Sequence, residues 1–249
     1  MNNKQDYKRN NFCMIDSERL PKHVGIIMDG NRRWAKQHHL PVAVGHSKGA
    51  DNFKSLAIYC NKIGLKCMTV YAFSTENWKR SEVEISALML LFKKYINDVL
   101  NKFEDENIKI KFIGDKSRFS EDIKKGIESV ETKTASKTGM QLNIAVNYGS
   151  RAEIIKGVKE ISQKITTGEL KTEEITEEVF SNHLYTKNLP DPDLIIRTAG
   201  EQRLSNFLLW QAAYSEFYFS DVLWPDFNAK EFDKAIEEYL KRTRKFGGQ

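Results

Sequence analysis

An apolar run, Val24-Gly25-Ile26-Ile27-Met28, leads straight into Asp29-Gly30-Asn31-Arg32-Arg33-Trp34. Such a run reads as a buried strand stopped by turn residues. The Asp29 carboxylate then stands where a strand meets a helix start. Gly30 permits close backbone approach there, and the helix offers free N–H groups to an anion. Arg33 adds a fork-shaped donor. A carboxylate beside a phosphate cradle is repulsive unless a cation bridges them. Mg²⁺ does this, with one or two carboxylates plus substrate phosphates as ligands. Taken alone, the loop fits a plain turn with surface arginines equally well.

Other stretches carry related chemistry. Gly45-His46-Ser47-Lys48-Gly49 precedes an expected helix, and His46 is a candidate phosphate donor; a capping serine beside an incidental histidine is the alternative. Ser74-Thr75-Glu76-Asn77-Trp78-Lys79-Arg80 supplies hydroxyls, an amide, an indole and a guanidinium, or else a solvated turn with Trp78 plugging the core. Asn77 near a reacting carbon would help to move a proton, although amides are poor bases and need a relay. Arg197 with Glu201-Gln202-Arg203-Leu204-Ser205 reads as a second anion site or as surface salt bridges. Glu216, opening the run Glu216-Phe217-Tyr218-Phe219, fits a strand edge or a second metal ligand.

These residues need a frame. Strands are expected at 24–28, 67–73, 108–113, 142–148 and 194–198. Helical spacing covers 32–39, 48–63, 83–103, 121–137, 151–164, 173–184 and 229–243, and Ser81 with Glu84 fits a capping box. The alternation predicts an α/β single domain with a mostly parallel central sheet of about six strands, flanked by helices on both faces. In such sheets ligands bind outside the carboxyl ends of the strands, so the loops at Asp29, Ser74, Asn147-Tyr148-Gly149-Ser150-Arg151 and Arg197 should converge on one crevice. The helix at 83–103 has a core stripe of Ile85, Leu88, Phe92, Val99 and Phe103, which Ala87, Leu90 and Leu91 widen beyond one face. It reads as a more fully buried helix or as the wall of an apolar tunnel.

The 249 residues are 40% hydrophobic and 29% charged, enough for one sizeable core. Residues 1–20 are polar and expected to be loose, with the folded domain at 21–249. A net charge of +5 suits anionic substrates or transient contact with an acidic membrane face, and lacks the dense basic stripe of a nucleic-acid binder. Cys13, Cys60 and Cys67 lack metal-site or disulfide spacing, which suggests a reducing, cytoplasmic location. No secretory signal or membrane span is expected.

Three segments in order carry a resemblance: HVGIIMDGNRRWA at 23–35, YAFSTENW at 71–78, and DPDLIIRT at 191–198 followed by RLSNFLLWQ at 203–211. They resemble the signatures of the cis-prenyltransferases, across about residues 20 to 247. The resemblance implies extension of farnesyl diphosphate by isopentenyl diphosphate units, Mg²⁺, a homodimer, and a long-chain (undecaprenyl) product used as lipid carrier in cell-wall synthesis. Release of that product implies transient, peripheral contact with the inner membrane face.

Carried over by motif, Asp29 would bind Mg²⁺ and assist departure of the allylic diphosphate. Gly30, Asn31, Arg32, Arg33, Trp34, His46 and Arg80 would hold the allylic substrate. Ser74, Thr75, Glu76 and Trp78 would border it, and Asn77 stands at the position assigned to proton removal. Arg197, Arg203, Leu204 and Ser205 would hold isopentenyl diphosphate, and Glu216 would complete the metal site. The pattern is broken at Val42, where many members carry arginine, at Ser81 and Ala199, and at Lys245, where arginine is favoured and an ammonium loses the bidentate fork. A short- or medium-chain synthase and a non-catalytic isoprenoid-binding subunit are the other readings. Retention of Asp29, Asn77, Arg197, Arg203 and Glu216 argues against the subunit.

Overall fold

The computed structural model describes residues 19–79, 81–103 and 105–242; of 97–102 only the backbone is described. Cys13, Arg80 and Lys245 therefore lie outside the described residues, as do positions 1–18 of the expected loose segment and the Val99 side chain. Leu20, expected in that segment, is buried in the core.

Strand β1 (His23–Ile27) is buried along its whole length, and so is β5 (Leu194–Arg197). Continuous apolar text of this kind is what strands covered on both faces require. Between them in sequence come α1 (Asn31–Gln37), α2 (Val42–Lys62), β2 (Cys67–Ser74), α3 (Glu82–Phe103), β3 (Ile108–Ile113), α4 (Glu121–Thr134), β4 (Met140–Tyr148), α5 (Ser150–Thr166) and the short α6 (Glu177–Ser181). β6 (Glu216–Phe219) and α7 (Ala229–Lys241) close the chain. The six strands lie in the order β3-β4-β2-β1-β5-β6, and each neighbouring pair is parallel. The sheet is thus wholly parallel, and the aromatic run at Glu216 is its sixth, edge strand.

The chain leaves β1 toward β2 on one side, whereas it leaves β5 toward β6 on the other. Neighbouring strands with opposite exits form the switch point at which α/β sheets bind ligands. Asp29 follows β1 and Arg197 ends β5, so both stand at that point.

Two expected helices differ. α2 begins at Val42 rather than 48, which places Gly45, His46 and Gly49 inside a helix. A Cβ on Gly45 would overlap the Asn31 carbonyl oxygen, and one on Gly49 the Asn31 side chain. The glycines let α2 press against α1, and that packing outweighs their poor helix propensity. The helix expected at 173–184 shrinks to a 3₁₀ turn (Thr172–Glu174) and α6, because Ile175 is extended and Thr176 starts a new cap by accepting from Val179 N. Cys60 and Cys67 are buried, unbridged thiols whose ionisation burial opposes.

His23 is buried at the other end of the sheet, with Nδ1 2.7 Å from the Pro190 carbonyl oxygen and Nε2 2.7 Å from Thr69 Oγ1. Burial lowers its pKa to about 4, against the opposing pulls of Pro190 and Asp193. The folded imidazole stays neutral while the unfolded one takes a proton near pH 6.5. Stability from this site is therefore complete above pH 6.5 and falls as pH drops toward 4, by about 3 kcal/mol in all. Urea midpoints at pH 7 and 4.5 should differ less in His23→Gln than in the native chain.

Candidate active site

The ends of β1, β2, β4 and β5 open into a cavity of about 790 Å³, lined by Asp29, Asn31, His46, Ser74, Glu76, Asn77, Arg151, Arg197, Leu204 and Ser205 among others. Its floor is fixed by backbone bonds. Asp29 N donates to Thr198 Oγ1 (3.0 Å), whose hydroxyl donates to Asp29 O (2.6 Å). Trp224 N also donates to Asp29 O, at 2.9 Å. Gly30 takes φ +112°, a left-handed conformation, and a Cβ there would press on Leu223 and Ala199. That turn swings α1 away from the sheet and leaves the Asp29 side chain at the cavity.

Arg197 is the central cation, with 4% of its surface exposed. Its Nη2 donates to Asp29 Oδ2 at 2.9 Å. Nη1 donates to Ser205 Oγ at 2.7 Å and to the Arg203 carbonyl, while Nε has no hydrogen-bond partner among the described residues. A buried charge with a donor to spare is costly in an empty cavity and well matched to an anion. Arg33 lies 3.8 Å from Asp29 Oδ2 and 3.6 Å from Glu201 Oε1. Arg203, 60% exposed, pairs with Glu201. Arg197 and Arg33 thus approach the Asp29 carboxylate, Arg33 and Arg203 share Glu201, and His46 lines the same cavity, a set of donors suited to a diphosphate.

Asp29 also suits Mg²⁺. Its carboxylate is one-third exposed, and among the described residues its bonds fall on Oδ2, leaving Oδ1 toward the cavity. Described residues contain no cluster of three or more His, Cys, Asp or Glu able to hold a metal alone. A single hard carboxylate with phosphate oxygens as remaining ligands fits the way Mg²⁺ binds.

A second, apolar cavity of about 160 Å³ adjoins the first. Asn31, His46, Met28, Ala72, Phe73 and Leu88 line both. Leu91, Phe92, Tyr95 and Ile96 of α3 continue it toward Phe103, Phe112 and Ile144. The core stripe of α3 therefore serves as a cavity wall, joined by Leu91, whereas Ala87 and Leu90, expected to widen it, are exposed. Its far side exposes Val83 (81%) and Leu90 (71%). Ser81 caps α3 as expected, accepting from Glu84 N at 3.3 Å.

Several expected site residues lie elsewhere. Glu216 starts β6 opposite Leu194, whereas Arg197, which touches Asp29, is opposite Phe219 at the other end. Within one chain Glu216 cannot share a cation with Asp29; it bonds Arg242 at 2.7 Å instead. Trp34 is buried and stacked on His38, outside the cavity lining. Trp78 donates to Asn147 Oδ1 (2.7 Å) and packs on Phe73, lining with Thr75 a separate recess behind the 75–79 turn. Arg32 turns outward to Glu84, 3.3 Å away. Asn77 lines the cavity, and its Oδ1 accepts from Ser74 N at 3.0 Å. Val42 is exposed and Ala199 sits at φ +72°. Arg151, Asn206 and Thr198 were missed. Arg151 stood in the third strand-end segment, but nothing in its spacing distinguished it from a surface arginine.

A parallel α/β sheet with paired anion donors, a lone metal-capable carboxylate and an adjoining apolar cavity defines an enzyme that handles diphosphates with hydrocarbon tails. The family described as putative undecaprenyl diphosphate synthase matches residues 27–247. The chain is 50% identical over 234 residues to the ditrans,polycis-undecaprenyl-diphosphate synthase ((2E,6E)-farnesyl-diphosphate specific) of Haemophilus influenzae, covering 94% of this chain and 98% of that protein. Among solved structures it resembles lavandulyl diphosphate synthase from Lavandula x intermedia in complex with dimethylallyl diphosphate (TM-score 0.89, 39% identity, 92% and 99% of the two chains). It also resembles a probable undecaprenyl diphosphate synthase from Campylobacter jejuni (TM-score 0.75, 36% identity, 91% and 98%). The chain belongs to the undecaprenyl diphosphate synthase family of cis-prenyltransferases.

Asp29→Ala should leave the Arg197 guanidinium buried without its counter-ion, at a cost of about 3 kcal/mol. The melting temperature should fall, and inorganic pyrophosphate should restore more of it in the variant than in the native chain.

Proposed function

We propose that this enzyme extends farnesyl diphosphate with isopentenyl diphosphate to a long-chain, undecaprenyl-type diphosphate that serves as lipid carrier for cell-wall polymers. The observation that carries the reading is the Asp29–Arg197 contact at the head of a polar cavity that opens into an apolar one. A phosphatase would need the first cavity but not the second.

In this reading the allylic diphosphate lies against Asn31, Arg33 and His46, and Asp29 is the residue that would hold Mg²⁺. The metal supplies electrophilic neutralisation of the leaving group's growing charge. Arg33 stabilises the same charge through preoriented N–H donors. Arg197, Arg203 and Ser205 hold isopentenyl diphosphate beside it, so that its double bond meets the allylic C1 as the C–O bond breaks. Each cycle forms one carbon–carbon bond and releases one diphosphate and one proton. Asn77 orients the reacting groups through its amide hydrogens.

The apolar cavity is smaller than the 300–1,000 Å³ usual for a bound ligand of moderate size. A long chain therefore needs α3 to move outward, which its exposed and half-buried apolar side chains make inexpensive. Product this apolar has to leave toward lipid. Among the described residues no helix is long and apolar enough to cross a membrane, and we read the enzyme as cytoplasmic with peripheral, transient membrane contact. A homodimer is proposed along the β6 edge, where Tyr214 is 67% exposed and Phe219 and Leu209 are also open to solvent. Glu216 lies on that edge strand and can approach a second copy's cation site only through such an assembly.

Incubation with farnesyl diphosphate, labelled isopentenyl diphosphate and Mg²⁺ should give a ladder ending in a long polyprenyl diphosphate on thin-layer chromatography. Folded protein that yields no elongated product would refute the proposal, and a ladder stopping after one or two additions would point to a short-chain synthase. Asp29→Ala should lower turnover by about a thousandfold or more. Ala72 lines both cavities, so Ala72→Leu should narrow the passage and shorten the product.

A further inference from the structure

Asn206 joins three segments of the cavity wall. Its backbone carbonyl accepts from Ser150 N and its Oδ1 from Arg151 N, both at 2.8 Å. It thus caps α5 from outside the helix, whose own N-cap, Gly149, has no side chain to offer. Its Nδ2 donates to Glu76 Oε1, again at 2.8 Å, on the turn after β2. Asn206 follows directly on Ser205, which Arg197 holds through Nη1. The loop between them has no regular structure to support it, and Ser205, Asn206 and Leu208 take φ of +48°, +66° and +46°. Such backbone persists where its surroundings over-determine it.

Gly149 makes the junction possible. A Cβ there would lie 2.7 Å from Asn206 Nδ2 and would collide with the Thr75 hydroxyl. Glu76 is a suitable acceptor. Burial alone would raise its pKa, but hydrogen bonds from Asn206, Ser74 and Thr75 outweigh that and keep it below the usual carboxylate range.

We propose that Asn206 is a positioning residue. By capping α5 and donating to Glu76 at once, it locks Arg203 and Ser205 against the turn after β2 and so sets the register between the two bound diphosphates. The assignment of those diphosphates rests on the function proposed above.

Asn206→Asp keeps the oxygen that caps α5, where an anion is welcome, but turns the contact with Glu76 into repulsion. The melting temperature should move little, while KM for isopentenyl diphosphate rises about tenfold or more and KM for farnesyl diphosphate changes far less. Adding Glu76→Gln reverses donor and acceptor. The double variant should return to within about threefold of Glu76→Gln alone, a coupling that only direct contact produces. Gly149→Ala, which leaves Asn206 intact but separates it from Thr75, should raise the same KM. An unchanged KM in Asn206→Asp, or independent effects in the double variant, would overturn the proposal. Calorimetric binding of isopentenyl diphosphate reads the same order without turnover. Failure of the function and failure of the positioning role are thereby distinguishable.

Discussion

A guanidinium buried at a sheet's switch point has to be neutralised before the fold can close over it. Arg197 achieves this through Asp29, and each residue depends on a different strand for its place. β1 delivers the carboxylate, β5 the cation, and Thr198 clamps the backbone between them. Among the described residues the contact leaves Nε of Arg197 without a hydrogen-bond partner and Oδ1 of Asp29 outside the ion pair. The fold thus holds its ion pair incompletely satisfied, and in the proposed function phosphate oxygens and a divalent cation would supply what is missing. Affinity for diphosphate and stability of the sheet's centre are linked through the same two side chains.

The parallel sheet was legible because strands alternate with helices along the chain and the central strands β1 and β5, buried along their whole length, read as nearly continuous apolar text. The convergence of its polar strand ends was legible for the same reason, since parallel strands put all their carboxyl ends on one side. Packing between elements was not. Gly45 stood before the helix expected from 48, yet it lies within α2, because what it and Gly49 accommodate is Asn31, in another helix. The break before α6 turned on a single cap at Thr176, too local for apolar spacing to register.

Of the candidate site, one part converges on a single cavity and another part does not. Asp29, His46, Ser74, Glu76, Asn77, Arg197, Leu204 and Ser205 line the cavity together. Trp34, Trp78 and Thr75 share the same motifs but lie outside the cavity lining, Trp34 on the buried side of α1 and the other two in the turn of 75–79, where successive residues point in different directions. Motif membership cannot tell a side chain that touches substrate from one that braces its neighbour. Glu216 shows this most clearly: its position at the start of β6 puts it at the wrong end of the sheet for Asp29 of the same chain. Asn206 illustrates the reverse, a residue without reactive chemistry whose three hydrogen bonds tie the cavity walls together.

The close seating of α2 on α1 has a consequence for how this site fails. Asn31 sits beside Asp29 and is wedged against two positions that carry no side chain at all. The geometry of the diphosphate cradle is therefore written partly in absent atoms, some fifteen to twenty residues downstream of the carboxylate. A single methyl group added at either glycine should displace Asn31 and so disturb the proposed cradle without replacing any residue in it. A catalogue of substrate contacts would misfile that disturbance as a folding defect, although its origin is a shifted loop in an intact sheet.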